Sequence, residues 1–338
     1  MKKILLILVL LYSTFSIGQK YELIEKKAMH FSLEQENDTI DFIVVDTVLN
    51  QKKPVFLWCQ GSLPIPLFLE IENYGYFFSG GGVANFNYKD IAKKYHLVII
   101  SMPKTPIIVQ KENLNNRYEY IPNSSKPNVF SKEYIKADYL ENYVIRANYV
   151  LNFLKKQKWV SNDTLVIAGH SQGTEVATKL AIQNKSVSHL GLFSANPFGR
   201  IDQFIREARL DAQLGRISPE QADSIIKQNY TFFEKANNEE AIKTNPELKA
   251  WKTFSTRYYV DWLKLDIPIY LAYGTEDRCA DLCDIIPLFF IEKGKTNLTI
   301  KRYIGLEHNF FELSKDGSLN NKKGHWNEVM NEFIKWIE

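Results

Sequence analysis

An α/β architecture, with a mostly parallel central β-sheet flanked by helices and one inserted helical cap, is the fold this sequence predicts. Three observations predict it. Short apolar runs alternate with segments of helical period through most of the chain, as a parallel sheet with crossover helices requires. One apolar run, Leu165-Val166-Ile167-Ala168, passes through Gly169-His170-Ser171-Gln172-Gly173 straight into the helix-forming stretch Thr174–Ala181. Between Asn196 and Asp266 the alternation stops and helical patterns follow one another.

The elements follow in order. Met29–Leu33 and Ile40–Val48, separated by polar Glu-Asn-Asp, predict an opening hairpin. Val55-Phe56-Leu57-Trp58-Cys59 is a strand, Ser79-Gly80-Gly81-Gly82 a flexible break, Tyr88–Tyr95 a helix and Leu97–Ser101 a strand. Residues 103–132, rich in Asn, Pro and Ser, predict a long irregular loop, which is either functional or mobile. Tyr139, Tyr143, Ala147, Val150, Leu151 and Leu154 recur at helical spacing, predicting one helix over Tyr134–Lys158. Leu190–Ser194, Ile267–Tyr273 and Leu298–Tyr303 supply the remaining strands. In the interruption, Arg200–Leu214, Ser218–Lys235 and Asn245–Leu263 predict helices, with Ser218-Pro219-Glu220 a good helix start.

The segment Gly169–Gly173 is the main chemical signal. Strand, Gly-x-Ser-x-Gly and helix in succession make a nucleophile elbow, where a β-carbon at either flanking glycine meets the strand or the helix. Ser171 is therefore the candidate nucleophile. Downstream, Gly274-Thr275-Glu276-Asp277 leaves one strand and Gly305-Leu306-Glu307-His308 leaves the last, giving the chain order Ser171, Asp277, His308. Sites in open α/β sheets gather at the carboxyl ends of strands, so the three converge in the expected fold. The other carboxylates there, Glu276, Asp281 and Asp284, also suit the start of the next helix. Of the other histidines, His30 and His96 precede the nucleophile, His170 packs beside the strand, His189 begins a strand and His325 starts the last helix.

In these residues, from about Val55 to the C-terminus, the chain resembles the α/β-hydrolase superfamily. The resemblance implies a serine hydrolase with Ser171 as nucleophile, His308 as base and Asp277 as the orienting acid. It implies an oxyanion hole from the backbone N–H groups of Gln172 and Ser62. The stretch Gln60-Gly61-Ser62-Leu63-Pro64 is similar to the family's His-Gly-x-x-Pro turn, departing from it at Gln60. A second departure is Thr174-Glu175, where relatives often carry small residues, and it places Glu175 near the pocket. Residues 197–266 correspond to the helical cap, with 19–196 and 267–338 as the core. Trp251, Phe254, Tyr258, Tyr259 and Trp262 line the pocket or, at their helical spacing, form the cap's own core. Carboxylic esters are the expected substrates, amides or short peptides the alternative, and a binding protein of the same fold without catalysis the third reading.

Composition bounds the rest. The 338 residues are 45% hydrophobic and 24% charged, which suits one sizeable core more than two independent domains. A net charge of +3 indicates neither nucleic-acid nor strong membrane-surface binding. No ligand-spaced His/Cys cluster points to a metal, and no cofactor motif is present. Met1-Lys2-Lys3, the apolar run Ile4–Leu11 and Ser16-Ile17-Gly18 predict a bacterial-type signal peptide over residues 1–18, cleaved before Gln19, and export to the periplasm or medium. The run is short for a membrane span. Cys59, Cys279 and Cys283 leave at least one thiol unpaired, and the Cys279–Cys283 spacing allows either a bridge, slightly favoured, or two free thiols on one helical face.

Overall fold

The computed structural model describes residues 21–36 and 38–338, so the expected signal peptide lies outside the described residues. Strands β1 (Tyr21–Ile24), β2 (Ala28–Gln35) and β3 (Asp38–Val44) form an antiparallel entry, and β4 (Lys53–Cys59) starts the parallel part. The short strands β5 (Phe68–Ile71) and β6 (Gly75–Phe78) make a hairpin before helix α1 (Tyr88–Lys94) and strand β7 (His96–Ile100). Strand β8 (Ile108–Gln110) pairs parallel with β5. Helices α2 (Lys132–Ala137) and α3 (Leu140–Leu154) lead to β9 (Val160–His170), α4 (Gly173–Gln183) and β10 (His189–Phe193).

The insertion contains α5 (Arg200–Gln213), α6 (Pro219–Ala236), α7 (Glu239–Thr244), α8 (Glu247–Thr253) and α9 (Tyr259–Trp262). Strand β11 (Ile269–Gly274), helix α10 (Ile286–Glu292), β12 (Leu298–Tyr303), the hairpin β13 (Phe311–Leu313) with β14 (Leu319–Gly324), and α11 (Trp326–Ile337) complete the chain. The main sheet has the order β1-β2-β3-β7-β4-β9-β10-β11-β12, parallel from β7 to β12.

Period-two alternation puts the two faces of this sheet into two cores. Val55, Leu57 and Cys59 of β4 join Ile167 of β9 under α3 and α4. Phe56 and Trp58 join Val166 and Ala168 beneath α1 and α11. Because both faces are covered, the inner stretches 55–59 and 165–168 of these strands are apolar at every position rather than at alternate ones. Complete burial of each such side chain contributes roughly 1.5–3 kcal/mol. That gain rigidifies the strand ends from which the site is built.

Four expectations are corrected. The helix expected over Tyr134–Lys158 is two, because the backbone leaves helical geometry at Asp138 and Tyr139. The Asp138 carboxyl accepts from Tyr143 Oη at 2.8 Å, and Leu140 N–H donates to Thr253 Oγ1 at 3.1 Å, so the break is tied by hydrogen bonds. Residues 103–132 are not wholly irregular, since β8 lies within them and Tyr120 N–H donates to Pro64 O at 2.8 Å. The helix expected over Asn245–Leu263 is also two, α8 and α9. Finally, Cys279 and Cys283 are not bridged. The turn between them sends the Cys283 thiol inward to donate to Ala195 O at 3.3 Å, whereas Cys279 faces a cavity.

Candidate active site

The two glycines of the elbow have separate steric reasons. A β-carbon on Gly169 would lie 2.2 Å from Gly173 O, and one on Gly173 would lie 2.0 Å from Cys59 O. Only bare backbone lets β9, α4 and β4 approach this closely. The turn so formed holds Ser171 at φ 53°, a left-handed conformation costly for a serine, and lifts its side chain out of the sheet. Ser171 N–H is tied to Phe193 O at 2.9 Å, and Thr174 Oγ1 donates to Ser171 O at 2.7 Å.

The three residues singled out in the sequence meet. Ser171 Oγ lies 2.9 Å from His308 Nε2, and His308 Nδ1 lies 2.9 Å from Asp277 Oδ2. Asp277 is 2% exposed, and its other oxygen accepts Cys279 N–H at 2.9 Å. Burial opposes charge on both partners, but mutual attraction and their hydrogen bond prevail: the His308 pKa stands well above the ordinary histidine value and that of Asp277 below the carboxylate value. The Cys279 thiol, beside the ring, adds to the His308 shift, while its own pKa is raised by burial.

The loop carrying His308 is fastened from beneath. His308 O accepts from His170 Nε2 at 3.0 Å and from Ser194 Oγ at 2.7 Å. Burial and the neighbouring His308 hold the His170 pKa down at about 3, so its ring is neutral at ordinary pH. Glu307 closes the loop by accepting from the N–H groups of Asn309 (2.8 Å) and Phe311 (3.1 Å). His325, by contrast, sits between Glu328 and Glu312 at the start of α11. Sequence reasoning placed His170 beside the strand but missed its anchoring bond, and it missed Ser194 entirely. The signal for Ser194 was its position at the end of a strand adjacent to the elbow strand.

Gln172 and Ser62 flank Ser171. Gln172 N–H is at the start of α4, where the helix dipole favours negative charge. Ser62 lines the same cavity as Ser171, and a β-carbon on neighbouring Gly61 would lie 3.8 Å from Ser171 Cβ. Gln60, standing where the family pattern has histidine, donates from Nε2 to Ile100 O at 2.6 Å and so ties this turn to the end of β7.

A cavity of about 530 Å³ opens onto Ser171 and His308. Its walls come from the turn after β4, from residues 128–130, from α2 and from the insertion. Trp251 is the member of the aromatic set that reaches the cavity, whereas Phe254, Tyr258 and Trp262 are almost wholly buried in core. Trp262 Nε1 donates to Thr178 Oγ1 at 2.8 Å, and Lys179 Nζ pairs with Asp261 Oδ2 at 2.5 Å, binding α9 to α4. Glu175 does reach the cavity. Among the described residues, the group of donors close enough to share a metal ion is Asp277, Cys279 and His308, within 4.8 Å of one another. Two of these already hydrogen-bond each other.

No protein-family model and no curated protein sequence matches the chain. Solved structures do. The acylaminoacyl peptidase of Pyrococcus horikoshii superposes with a TM-score of 0.52 at 13% identity, covering 93% of this chain and 41% of that one. Its uncomplexed form gives 0.53 at 14%, covering 94% and 42%. An acylaminoacyl peptidase in complex with Z-Gly-Gly-Phe-chloromethyl ketone gives 0.50 at 15%, covering 91% and 41%. The chain thus spans less than half the length of these proteins, and at such identity the likeness is one of fold. The strand order, the strand–turn–helix carrying Ser171 and these neighbours together give the chain the α/β-hydrolase fold.

Proposed function

We propose that this protein is an exported serine hydrolase that cleaves carboxylic esters through an acyl-enzyme. The observation that carries the reading is the unbroken hydrogen-bonded line from Ser171 Oγ through both nitrogens of His308 to Asp277, open to a cavity at its serine end. Ser171 Oγ attacks the carbonyl carbon as its proton passes to His308 Nε2. Asp277 fixes the tautomer with the proton on Nδ1 and stabilises the imidazolium. The N–H groups of Gln172 and Ser62 receive the oxyanion, a charge that develops only in the transition state. His308 then protonates the leaving alcohol, and water attacks the acyl-enzyme by the same route. Export rests on the N-terminal sequence pattern of residues 1–18.

Amide cleavage is the second reading, favoured by the acylaminoacyl peptidases among the structural neighbours. The test has two stages. Labelling by a fluorophosphonate probe, lost in Ser171→Ala, supports the hydrolase; folded protein that takes up no probe would point to a binding module. Rates on p-nitrophenyl esters against aminoacyl-nitroanilides then divide the esterase from the peptidase.

A further inference from the structure

Arg200 is placed with unusual care for a cation. Asn196 accepts from Gly199 N–H at 3.1 Å and donates to Gly199 O at 2.8 Å, forming a turn that delivers Arg200 as the first residue of α5. Gly199, at φ 93°, packs so tightly that a β-carbon would come within 2.7 Å of the Ser255 backbone. A helix N-terminus is the unfavourable end for a positive charge. The guanidinium is nevertheless held there, 5.0 Å above the Phe254 ring and 5.6 Å from the Trp251 ring. One nitrogen donates to Gln172 Oε1, the side chain next to the nucleophile.

Arg200 lines the same cavity as Ser171 and His308. Among the described residues it makes no ion pair with a carboxylate, and Gln172 is its hydrogen-bond acceptor. A guanidinium has five N–H donors in a planar fork that matches a carboxylate. Most of that fork is therefore uncommitted, on a residue that lines the cavity reached by Ser171.

Two buried acids, Glu175 and Asp138, stand near this charge and feel its attraction. Glu175 is 4% exposed, and its Oε2 has no hydrogen-bond partner, which fits a neutral carboxylic acid better than a buried anion. Burial drives its pKa well above the ordinary carboxylate value in spite of Arg200. Asp138, which accepts from Tyr143 Oη, is likewise raised by burial. Glu247, exposed on α8, lies at the mouth. The inner wall thus presents one fixed cation with two acids that burial disfavours as anions.

We infer that Arg200 is a specificity residue that takes an anionic group, a carboxylate, on the acyl side of the substrate. The inference rests on the serine-hydrolase reading above and narrows its substrate class to esters or amides that carry a second, ionised acid. The rings of Phe254 and Trp251 lie against the guanidinium, and a cation so placed still offers its planar fork to a charge-assisted bidentate pair.

The decisive comparison uses the p-nitrophenyl monoester of glutaric acid and p-nitrophenyl pentanoate, which share a five-carbon acyl chain and differ in terminal charge. The readout is the ratio of kcat/KM for the charged ester to that for the uncharged one. The expected ratio for the unaltered protein exceeds one by about tenfold, falls by at least that factor in Arg200→Gln and recovers in part in Arg200→Lys, which keeps the charge without the fork. A ratio below one, or one that Arg200→Gln leaves in place, overturns the inference while leaving the hydrolase reading standing. Affinity for the glutarate monoester, measured calorimetrically in Ser171→Ala protein, decides the matter without turnover. Adding Arg200→Gln is expected to weaken binding about tenfold. Equal affinity, or no binding by either protein, overturns it. Loss of fluorophosphonate labelling and of all ester turnover would instead defeat the hydrolase reading, and the binding measurement would still judge Arg200.

Discussion

His170 holds the main chain of His308: its Nε2–H donates to the His308 carbonyl at 3.0 Å, so the residue before the serine of the elbow fixes the loop that carries His308. The contact links two turns separated by most of the C-terminal half of the chain. Ser194 shares the same acceptor. His170 is therefore a positioning residue, acting on the chemistry only through His308.

Its removal is expected to misplace the ring rather than abolish it. In His170→Ala, the His308 carbonyl keeps Ser194 and loses its second donor, a change worth roughly 1–3 kcal/mol for a buried polar group. The expected outcome is a lower urea midpoint and a fall in kcat with KM little changed, because substrate contacts are intact. A normal kcat in the variant would show that the loop needs no such anchor. The same ring makes stability depend on pH. Its folded pKa, about 3, lies below the unfolded value of 6.5, so the unfolded chain binds more protons between them. Its contribution is complete above 6.5 and is lost as pH falls towards 3, which a series of urea titrations across that window reads directly.

Under the proposed mechanism, Ser171, His308 and Asp277 are expected to behave as one unit. Ser171→Ala and His308→Ala should each lower kcat by roughly 10⁴ to 10⁶, and Asp277→Asn by somewhat less. His325→Ala is the control, since its ring is occupied by Glu312 and Glu328 on the surface. A loss smaller than about tenfold in His308→Ala would remove it from the role of base.

The fold was legible because both faces of the sheet are covered, which writes the strands Val55–Cys59 and Ile267–Tyr273 into the sequence as unbroken apolar runs. The elbow was legible for a different reason: its glycines answer to backbone contacts at 2.0 and 2.2 Å, where any β-carbon would force the backbone to shift. Asp277 and His308 are singled out by strand-end position together with chain order and the resemblance, against other carboxylates and histidines nearby. What stayed hidden depends on tertiary partners. The break between α2 and α3 is stabilised by Thr253, far along the chain. Strand β8, only three residues long, exists because β5 offers it an edge. The Cys279 and Cys283 thiols diverge because of a turn whose direction four residues of spacing do not encode. Arg200 was visible only as the start of a helix, since its significance lies in Gln172 and in the cavity.

The free thiols make a simple prediction. With Cys59 and Cys283 buried and Cys279 unpaired, dithiothreitol should change neither the thermal midpoint nor the rate of any turnover of p-nitrophenyl esters. Alkylation of denatured, unreduced protein should add three labels, one for each cysteine. A single label would restore the bridge between Cys279 and Cys283.

Close packing at the elbow predicts an asymmetric response to a single methyl group. In Gly173→Ala the new β-carbon collides with the Cys59 carbonyl, part of a strand at the centre of the sheet that cannot retreat. Overpacking of this kind costs about 1–3 kcal/mol and more where backbone is the obstacle. Gly61→Ala meets its nearest atom at 3.7 Å, an ordinary contact, and is expected to fold normally. Urea denaturation of the two variants should therefore separate them clearly.

The pH dependence of catalysis follows from the His308–Asp277 pair. In the proposed mechanism His308 must be neutral to accept the proton of Ser171, and a raised His308 pKa keeps it charged to higher pH. The acid limb of kcat/KM is thus expected above the ordinary histidine value of 6.5, with activity rising as the ring loses its proton. In Asp277→Asn the attraction that raises this pKa is gone while burial, which lowers it, remains. The limb should move to lower pH even as the rate drops, because the ring is easier to deprotonate but is no longer held in the reactive tautomer. A limb that stays fixed on this substitution would mean that a group other than His308 governs it. The Cys279 thiol, which also supports the raised value, gives the internal check: Cys279→Ala should shift the limb in the same direction as Asp277→Asn, by a smaller amount and with the tautomer intact.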